Sequence, residues 1–239
     1  MISSGWRQKN LELAEQIDKN GVEDFMNWSV INASMYRGLA PDTLLERDEI
    51  VLHFGKKYEN LKSGSMIQQY HALLAGIHHG IDLNKVETIV EFGSGIGEMV
   101  YAAMDMCPNI KRHLIYDIES VCRIQESRFE KDEIYHAFTF SDFEEFEYSV
   151  AVNSAYQDPG AILFISICAI SEAPIKIRDM LFNSKGNILL ENFILRVQGR
   201  WDGIDNIEYF SNIIGDTFTV SPCIDTNHVY LISNPGEDK

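Results

Sequence analysis

Residues 86–105 read VETIVEFGSGIGEMVYAAMD, and the interpretation of the whole chain starts from them. The first half is apolar enough for a buried β-strand, the second half suits a helix, and Gly93, Gly95 and Gly97 lie in the turn between them. Glycine accepts positive φ angles and lets a ligand approach the backbone, and the first N–H groups of a helix have no partner within that helix. The pattern predicts a site for a nucleotide-like ligand, although a tight turn without any ligand is the simpler alternative.

Acidic residues around the turn discriminate between nucleotide-like ligands. Dinucleotide sites use G-x-G-x-x-G and hold a pyrophosphate at the helix start, but Glu98 stands where the third glycine would be. Glu91, at the end of the first strand, suits a cationic amine. Asp117, at the end of the second strand, suits the two ribose hydroxyls, although it could instead cap a helix. Together these residues favour S-adenosylmethionine, which carries an ammonium, a sulfonium and a ribose.

The other predicted cofactor contacts lie in the turn and after the second and third strands. They are Ser94, Ile118, Ser141, Asp142 and Phe143. The last three would hold the adenine through one polar contact and an aromatic face. Asp142 is equally well placed to cap the helix that follows it.

Beyond the turn, short apolar runs alternate with helical ones, which predicts a parallel sheet covered by helices on both faces. The last two strands are joined by a connection too short for a parallel crossover, so the final strand must be antiparallel. We expect an α/β fold with a doubly wound, Rossmann-like seven-stranded sheet and an antiparallel last strand. Strands are predicted at 87–92, 112–117, 133–138, 161–168, 187–193, 217–223 and 228–233. Helices are predicted at about 97–107, 119–130, 143–150, 173–183 and 205–215.

The first 80 residues have helical periodicity and no strand pattern. We therefore expect two parts: an all-helical N-terminal cap at 1–80 and a Rossmann-like domain at 81–239. The cap would cover the active site and exclude water. Its Met-, Trp- and Tyr-rich stretch would pack against the sheet domain, and the alternative is that this stretch forms a homodimer face.

The composition narrows the partners and the compartment. The net charge of −16 repels phosphate backbones and anionic lipids, so nucleic acid is not expected as a partner. The four cysteines form no C-x-x-C pair, which fits a reducing, cytoplasmic environment. The longest apolar run, at 161–170, is far shorter than the roughly 20 residues of a membrane-spanning helix, so membrane insertion is not expected.

Several stretches together resemble the class I S-adenosylmethionine-dependent methyltransferases, and more narrowly the bacterial sugar O-methyltransferases linked to surface-polysaccharide synthesis. The matching stretches are FMNWSVINASMYRG, VEFGSGIGEM, YDIESVCRIQ, FISICAISEAPIKIRDMLF, DGIDNIEYF and HVYLIS. The glycine turn and Asp117 are shared by many methyltransferases, whereas the Ser-Glu and DNIEYF elements are more specific. The resemblance implies methyl transfer to a hydroxyl of a sugar, a nucleotide sugar or a glycan precursor. Another small-molecule acceptor is the alternative, and a nucleotide-binding oxidoreductase or a non-catalytic module is a third.

The catalytic residues are expected near the tips of the fourth and fifth strands, because ligands of doubly wound sheets bind beyond the carboxyl ends of the strands. The predicted tips contribute Ser171, Glu172, Glu191 and Asn192. Glu172 is the first candidate for the general base, since partial burial at a strand end would raise the pKa of its carboxyl. Its alternative role is that of an N-terminal helix residue beside a proline. His71 is the second candidate, with a half-buried structural histidine as the alternative.

Acceptor contacts are also expected from the stretch after the fifth strand. Asp205 and Asn206 could bond sugar hydroxyls and Trp201 could stack on a sugar ring, although a loop and a helix cap explain the same residues. A Mg²⁺ ion held by Glu172, Glu191 and Asp205 is conceivable because oxygen ligands suit this metal. The sequence leaves metal dependence open.

Overall fold

The computed structural model describes residues 64–95, 97–129, 133–158, 160–182, 187–215, 217–223 and 228–234. Within these ranges seven strands form one sheet in the order β3-β2-β1-β4-β5-β9-β8. Strands β1 to β5 are parallel, and β9 is antiparallel to both of its neighbours, β5 and β8. The predicted seven-stranded sheet with an antiparallel last strand is confirmed. The strands are β1 (Thr88–Phe92), β2 (Arg112–Asp117), β3 (Tyr135–Thr139), β4 (Ile162–Ile167), β5 (Phe193–Gln198), β8 (Phe218–Pro222) and β9 (His228–Ser233).

Helices cover both faces of this sheet. They are α1 (Gly64–His78), α2 (Glu98–Met106), α3 (Glu119–Phe129), α4 (Phe143–Ala155), α5 (Ala169–Glu172), α6 (Ile175–Phe182) and α7 (Asn206–Ile214), with a 3₁₀ turn at Asn187–Leu190. Helix α1 is the last of the helices predicted for the N-terminal cap, and its side chains join the core on the α2 face of the sheet. The rest of the predicted cap lies outside the described residues. No helix within the described ranges is long and apolar enough to span a membrane.

The core consists of two layers, one on each face of the sheet. On one face, residues of α1 and α2 pack over Ile89, Leu163 and Ile165. On the other, the α4, α6 and α7 side chains pack over Val90 and Phe164. Strand β1 is buried at every position, as expected for a central parallel strand that is covered on both faces.

The fifth strand lies further along the chain than the sequence predicts. The predicted strand 187–193 is wrong: its apolar residues form the 3₁₀ turn, where Leu189 is buried, and β5 begins only at Phe193. The observed strand contains Arg196, which is only 2% exposed. Its burial is tolerated because Gln68 and Cys223 accept hydrogen bonds from its N–H groups. Burial of a polar residue by long-range partners is invisible to a local hydropathy pattern. The carboxyl tip of β5 is therefore Gln198 and not residue 193.

Two shorter elements also differ from the predictions. The helix predicted at 173–183 is preceded by the separate turn of helix α5, because Pro174 has no N–H group to continue a helical ladder. After β5, the predicted loop is a two-stranded hairpin of β6 (Arg200–Trp201) and β7 (Ile204–Asp205). Its turn residues Asp202 and Gly203 have φ angles of 49° and 81°, which is typical of the Asp-Gly hairpin turn.

Candidate active site

The glycine turn lies at the carboxyl end of β1 and fits its surroundings closely. Gly93, Gly95 and Gly97 have φ angles of 74°, 58° and 79°. A Cβ atom on Gly93 would lie 2.0 Å from the Cβ of Ala169, and one on Gly97 would lie 2.5 Å from the ring of Phe129. A Cβ on Gly95 would meet nothing within 4 Å. Gly93 and Gly97 are thus required by packing within the protein, whereas Gly95 leaves an open approach to the backbone.

Asp117 joins the tip of β2 to this turn. Its Oδ2 accepts a hydrogen bond from the Gly95 N–H at 3.3 Å, and its Oδ1 accepts one from the Ile118 N–H at 2.7 Å. The side chain is buried, and burial together with the nearby charge of Glu91 raises the pKa of Asp117 to about 7, against the opposing effect of the two N–H donors. A buried carboxyl that is bonded to the glycine turn is well suited to accept hydroxyl donors or to lie beside a cation.

Glu91 lies two residues before Gly93, and it is 1% exposed. Its Oε2 is 2.8 Å from Nε2 of His113, which is fully buried. Among the residues that the structure describes, no donor contacts Oε1 of Glu91. Leaving a buried carboxylate oxygen without a donor costs free energy, which a cationic amine could offset.

Helix α3 supports the turn from the side through residues that the sequence analysis did not identify. Gln125 is fully buried, and its Nε2 donates to Ser94 Oγ and, at 2.6 Å, to the carbonyl of Gly95. Its Oε1 accepts a hydrogen bond from the Tyr135 hydroxyl at 3.1 Å. Gln125 lies on the apolar face of α3 beside the buried Val121 and Cys122. The one indication of this role in the sequence is that Gln125 is a polar residue on an otherwise apolar helix face.

The residues predicted to hold adenine lie at the tip of β3. Asp142 is at the N-cap position of α4, but its carboxylate accepts hydrogen bonds from the N–H and hydroxyl of Thr139 and not from a helix N–H. Ser141 is exposed, and its Oγ lies 2.5 Å from the Thr139 hydroxyl. Phe143 packs against the ring of Tyr116. Ile118, half-buried, follows Asp117 at the neighbouring tip of β2.

The tips of β4 and β5 hold the predicted catalytic acid. Glu172 ends the short helix α5 and is half-buried, and its Oε1 accepts a hydrogen bond from Gln198 Nε2 at 2.9 Å. The Ser171 hydroxyl is buried and donates to the Cys168 carbonyl at 2.7 Å. Cys168 begins α5 with a φ of 70°, which is uncommon for a residue other than glycine.

A fully buried arginine, Arg178, fixes the polypeptide around these tips. Its guanidinium donates to the carbonyls of Ser171 and Ala173 and, at 2.6 Å, to Oδ1 of Asn206. Asn206 in turn donates to the carbonyl of Gln198 at 2.8 Å. Burial lowers the pKa of Arg178, which nevertheless stays far above neutral pH because guanidinium groups do not deprotonate in proteins. This hydrogen-bonded chain occupies both ends of the Asn206 amide, which the sequence analysis had assigned to a sugar hydroxyl.

The remaining predicted acceptor contacts occupy the β6–β7 hairpin. Asp205 is the N-cap of α7, and its Oδ1 accepts a hydrogen bond from the Glu208 N–H at 3.1 Å. This contact agrees with the alternative interpretation of Asp205 as a helix cap. Trp201 is half-buried and pairs with Ile204 across the hairpin.

His71, the second predicted base, is fully enclosed. Its Nδ1 lies 3.0 Å from the hydroxyl of Tyr230, and the two rings stack at 5.7 Å. Burial and the charge of Arg196 lower the pKa of His71 to about 4. This surrounding matches the alternative interpretation of a structural histidine.

The structure does not bring Glu191 and Asn192 to the site. Both precede β5, and the Asn192 amide bonds the carbonyl of Gly160, which precedes β4. They therefore lie at the amino edge of the sheet, opposite the glycine turn, and their placement at a strand tip is corrected. The Mg²⁺ set of Glu172, Glu191 and Asp205 is separated for the same reason. Within the described ranges, no group of three His, Cys, Asp or Glu residues could hold a metal ion.

No family model and no curated protein matches this chain. Among solved structures, it is similar to human N-acetylserotonin methyltransferase in complex with SAM, at 10% identity over 94% of this chain and 70% of that one, with a TM-score of 0.42. It is also similar to an O-methyltransferase family 2 protein of Planctomyces limnophilus in complex with apigenin, at 10% identity over 82% and 63% of the chains and a TM-score of 0.47. At these values the likenesses carry no weight for function, which we infer from the site. The strand order and the antiparallel β9 define a doubly wound, Rossmann-like fold.

Proposed function

We propose that this chain is an S-adenosylmethionine-dependent O-methyltransferase. The observation that carries the proposal is the hydrogen bond from the Gly95 N–H to Asp117, because it joins an open glycine turn at one strand tip to a buried carboxyl at the next. Asp117 would accept the ribose hydroxyls, and the free Oε1 of Glu91 would accept the ligand's ammonium. Ser141 and Phe143 would contact the adenine.

The charge around the turn supports this cofactor over a dinucleotide. Glu98 is the first residue of α2 and is 1% exposed, so a carboxylate is buried where a pyrophosphate would require positive potential. Glu91 and Asp117 add two more acidic groups nearby. S-adenosylmethionine brings a sulfonium and an ammonium, and both are favoured beside buried carboxylates.

Glu172 is the general base of the proposed reaction. Bound S-adenosylmethionine would supply an electrophilic methyl group to the acceptor hydroxyl and leave as S-adenosylhomocysteine. Glu172 would accept the proton that this hydroxyl loses. Gln198 donates to Oε1 of Glu172 and so helps to orient the carboxylate that would accept the proton. His71 is the weaker candidate because it is enclosed and bonded to Tyr230.

The acceptor is proposed to be a small molecule with a hydroxyl group, and the sequence resemblance favours a sugar or nucleotide sugar. Trp201, half-buried in the hairpin next to the tip of β5, would stack on a sugar ring. A different small-molecule acceptor is favoured by one observation: Asp205 and Asn206, the residues expected to bond sugar hydroxyls, are committed to a helix cap and to Arg178.

Calorimetric titration with S-adenosylhomocysteine tests cofactor binding, and NADH is the control ligand. We expect micromolar binding of S-adenosylhomocysteine and none of NADH. Preferential binding of NADH, or no binding of either, would contradict the proposal.

Methyl transfer from tritiated S-adenosylmethionine to a panel of sugars, nucleotide sugars and phenolic hydroxyls then tests the reaction. With the best acceptor, Glu172→Gln should lower kcat at least about 100-fold, because it keeps the acceptor for Gln198 but removes the base. The matched control is Glu191→Gln, an exposed residue at the opposite edge, which should behave as the wild type. Equal activity of both variants would remove Glu172 from the reaction.

A further inference from the structure

Three buried ionisable side chains lie one after another along strands β1 and β2 in the direction of the glycine turn. In the parallel register, Ile89 pairs with His113 and Glu91 pairs with Ile115. Because side chains alternate between faces, His113, Glu91 and Asp117 share one face of the sheet and lie at successively higher levels. His113 is 0% exposed, and it is the lowest of the three, two residues below the level of Glu91.

The contact between His113 and Glu91 uses one atom of each side chain. Nε2 of His113 lies 2.8 Å from Oε2 of Glu91, so Nε2 carries the hydrogen in this bond. Within the described part of the chain, neither Oε1 of Glu91 nor Nδ1 of His113 has a hydrogen-bond partner. A structural pair buried to this extent would be expected to satisfy all of its polar atoms. The open acceptor is on Glu91, two residues before Gly93 of the turn.

We infer that His113 is a positioning residue for the cofactor's amino-acid portion, an inference that rests on the proposed function. By holding Oε2, His113 fixes the orientation of the buried Glu91 side chain. Oε1 is then left to accept a hydrogen bond from the ligand's ammonium. Without His113, neither oxygen of Glu91 would have a donor among the described residues, and the side chain would lose the orientation that presents Oε1 to the ligand.

This role distinguishes the amino-acid portion of the ligand from its nucleoside portion. S-adenosylhomocysteine and its decarboxylated analogue both carry the amine, whereas 5′-methylthioadenosine carries the same nucleoside and a thioether without it. A positioning role predicts that His113 affects binding of the first two ligands only. A merely structural role would change the affinity for all three ligands by a similar factor.

The test is calorimetric titration of the full chain with these three ligands. His113→Met removes the donor, and His113→Gln, of the same length, keeps an N–H donor. We expect His113→Met to lower the affinity for both amine-bearing ligands at least about tenfold, the usual effect of a lost charge-assisted hydrogen bond. The affinity for methylthioadenosine should stay within about twofold of the wild-type value. His113→Gln should restore most of the affinity. Equal weakening of all three ligands, or unchanged binding of S-adenosylhomocysteine by His113→Met, would overturn the inference.

A measurement on the wild type covers the case in which His113→Met does not fold. The imidazole ¹⁵N signals of His113, assigned by their loss in His113→Gln, should shift on addition of S-adenosylhomocysteine and remain in place on addition of methylthioadenosine. Signals that are indifferent to bound S-adenosylhomocysteine would overturn the inference while leaving the proposed function intact. If the wild type binds neither ligand, the proposed function fails and the role of His113 with it.

Discussion

Asp117 carries a proton at a pH at which most aspartates do not, because burial and the charge of Glu91 raise its pKa to about 7. Ribose hydroxyls donate hydrogen bonds, and they bind better to a carboxylate than to a protonated carboxyl group. Cofactor binding should therefore release a proton from Asp117 wherever the free protein still holds one. The pH dependence of binding then reports on this single residue.

We expect the affinity for S-adenosylhomocysteine to rise with pH up to about 7 and to level off above it. Below pH 7 the rise should approach, at most, about tenfold per pH unit. Asp117→Asn cannot ionise, so it should bind more weakly and with a flat pH profile. Calorimetry between pH 5.5 and 8 measures both proteins, and parallel profiles would show that another group is responsible.

Two glycines of the turn should respond differently to the same substitution. Gly95→Ala adds a methyl group to open space at a φ of 58°, which should lower the free energy of unfolding by about 1 kcal/mol. Gly93→Ala also forces a Cβ to within 2.0 Å of Ala169, and overpacking should raise the loss to on the order of 3 kcal/mol.

Urea unfolding and calorimetry of the two variants separate packing from ligand binding. Gly95→Ala should fold well and yet bind S-adenosylhomocysteine at least about tenfold more weakly, because its methyl group enters the ligand's space. Full binding by a folded Gly95→Ala protein would show that the ligand does not approach this part of the turn.

At the scale of elements, α5, α6, α7 and the tip of β5 are joined by the contacts of Arg178. Its guanidinium satisfies the carbonyls of Ser171 and Ala173, and it also bonds Asn206. Its Cζ atom lies 5.1 Å from the centre of the Tyr209 ring. Segments that are far apart in sequence are thereby held in one arrangement beside Glu172.

Arg178→Met should lower the free energy of unfolding by about 3 kcal/mol, because it leaves two carbonyls and an amide oxygen buried without a donor. Arg200→Met, at an exposed hairpin position, is the matched control and should change it by about 0.5 kcal/mol or less. Urea denaturation measures both. A small loss in Arg178→Met would show that water replaces the guanidinium.

Elements with a strong local pattern were predictable from the sequence, and those fixed by distant partners were not. β1, the glycine turn and β4 have local patterns that correspond to what the structure shows. β5 was misplaced because Arg196 looks unsuited to a buried strand until Gln68 and Cys223 are brought to it. The Asp-Gly turn of the hairpin, by contrast, is a local pattern that predicts such a turn without any distant partner.

The candidate site divides in the same way. The glycine turn and the acid at the tip of β2 follow fixed spacings, and both lie where the sequence places them. The partners of the site residues, Gln125, His113 and Arg178, are polar residues on apolar faces, and their roles depend on which elements the fold brings together. Sequence spacing alone contains no information about such pairings.

For the whole molecule, two buried groups give opposite dependences of stability on pH. Asp117 holds a proton in the folded state between its usual pKa and about 7, so its contribution to stability falls as pH rises through that range. His71 has a pKa lowered from 6.5 to about 4, so the unfolded chain binds the extra proton there and stability rises with pH. Between about pH 4 and 6.5 the two contributions oppose each other.

Replacing either residue should leave the pH dependence of stability that the other one causes measurable by itself. Between pH 4 and 6.5, the free energy of unfolding of Asp117→Asn should increase relative to that of the wild type as pH rises, by up to about 1.4 kcal/mol per pH unit. Over the same range, the free energy of unfolding of His71→Gln should fall relative to that of the wild type as pH rises, with a similar slope. Chemical denaturation at four pH values measures the differences, and equal slopes in all three proteins would contradict the assignment of these groups.

Gly93 and Ala169 touch so closely that no side chain could be inserted between the glycine turn and the helix that ends at Glu172. The distance between the proposed cofactor turn and the helix that carries the proposed base is consequently set by the packing of Gly93 on the Cβ of Ala169. The hairpin that carries Trp201 takes no part in this contact, so substitutions there can change the acceptor surface without moving that helix. A protein built in this way could acquire new substrates while its turn and its base-bearing helix stay in place.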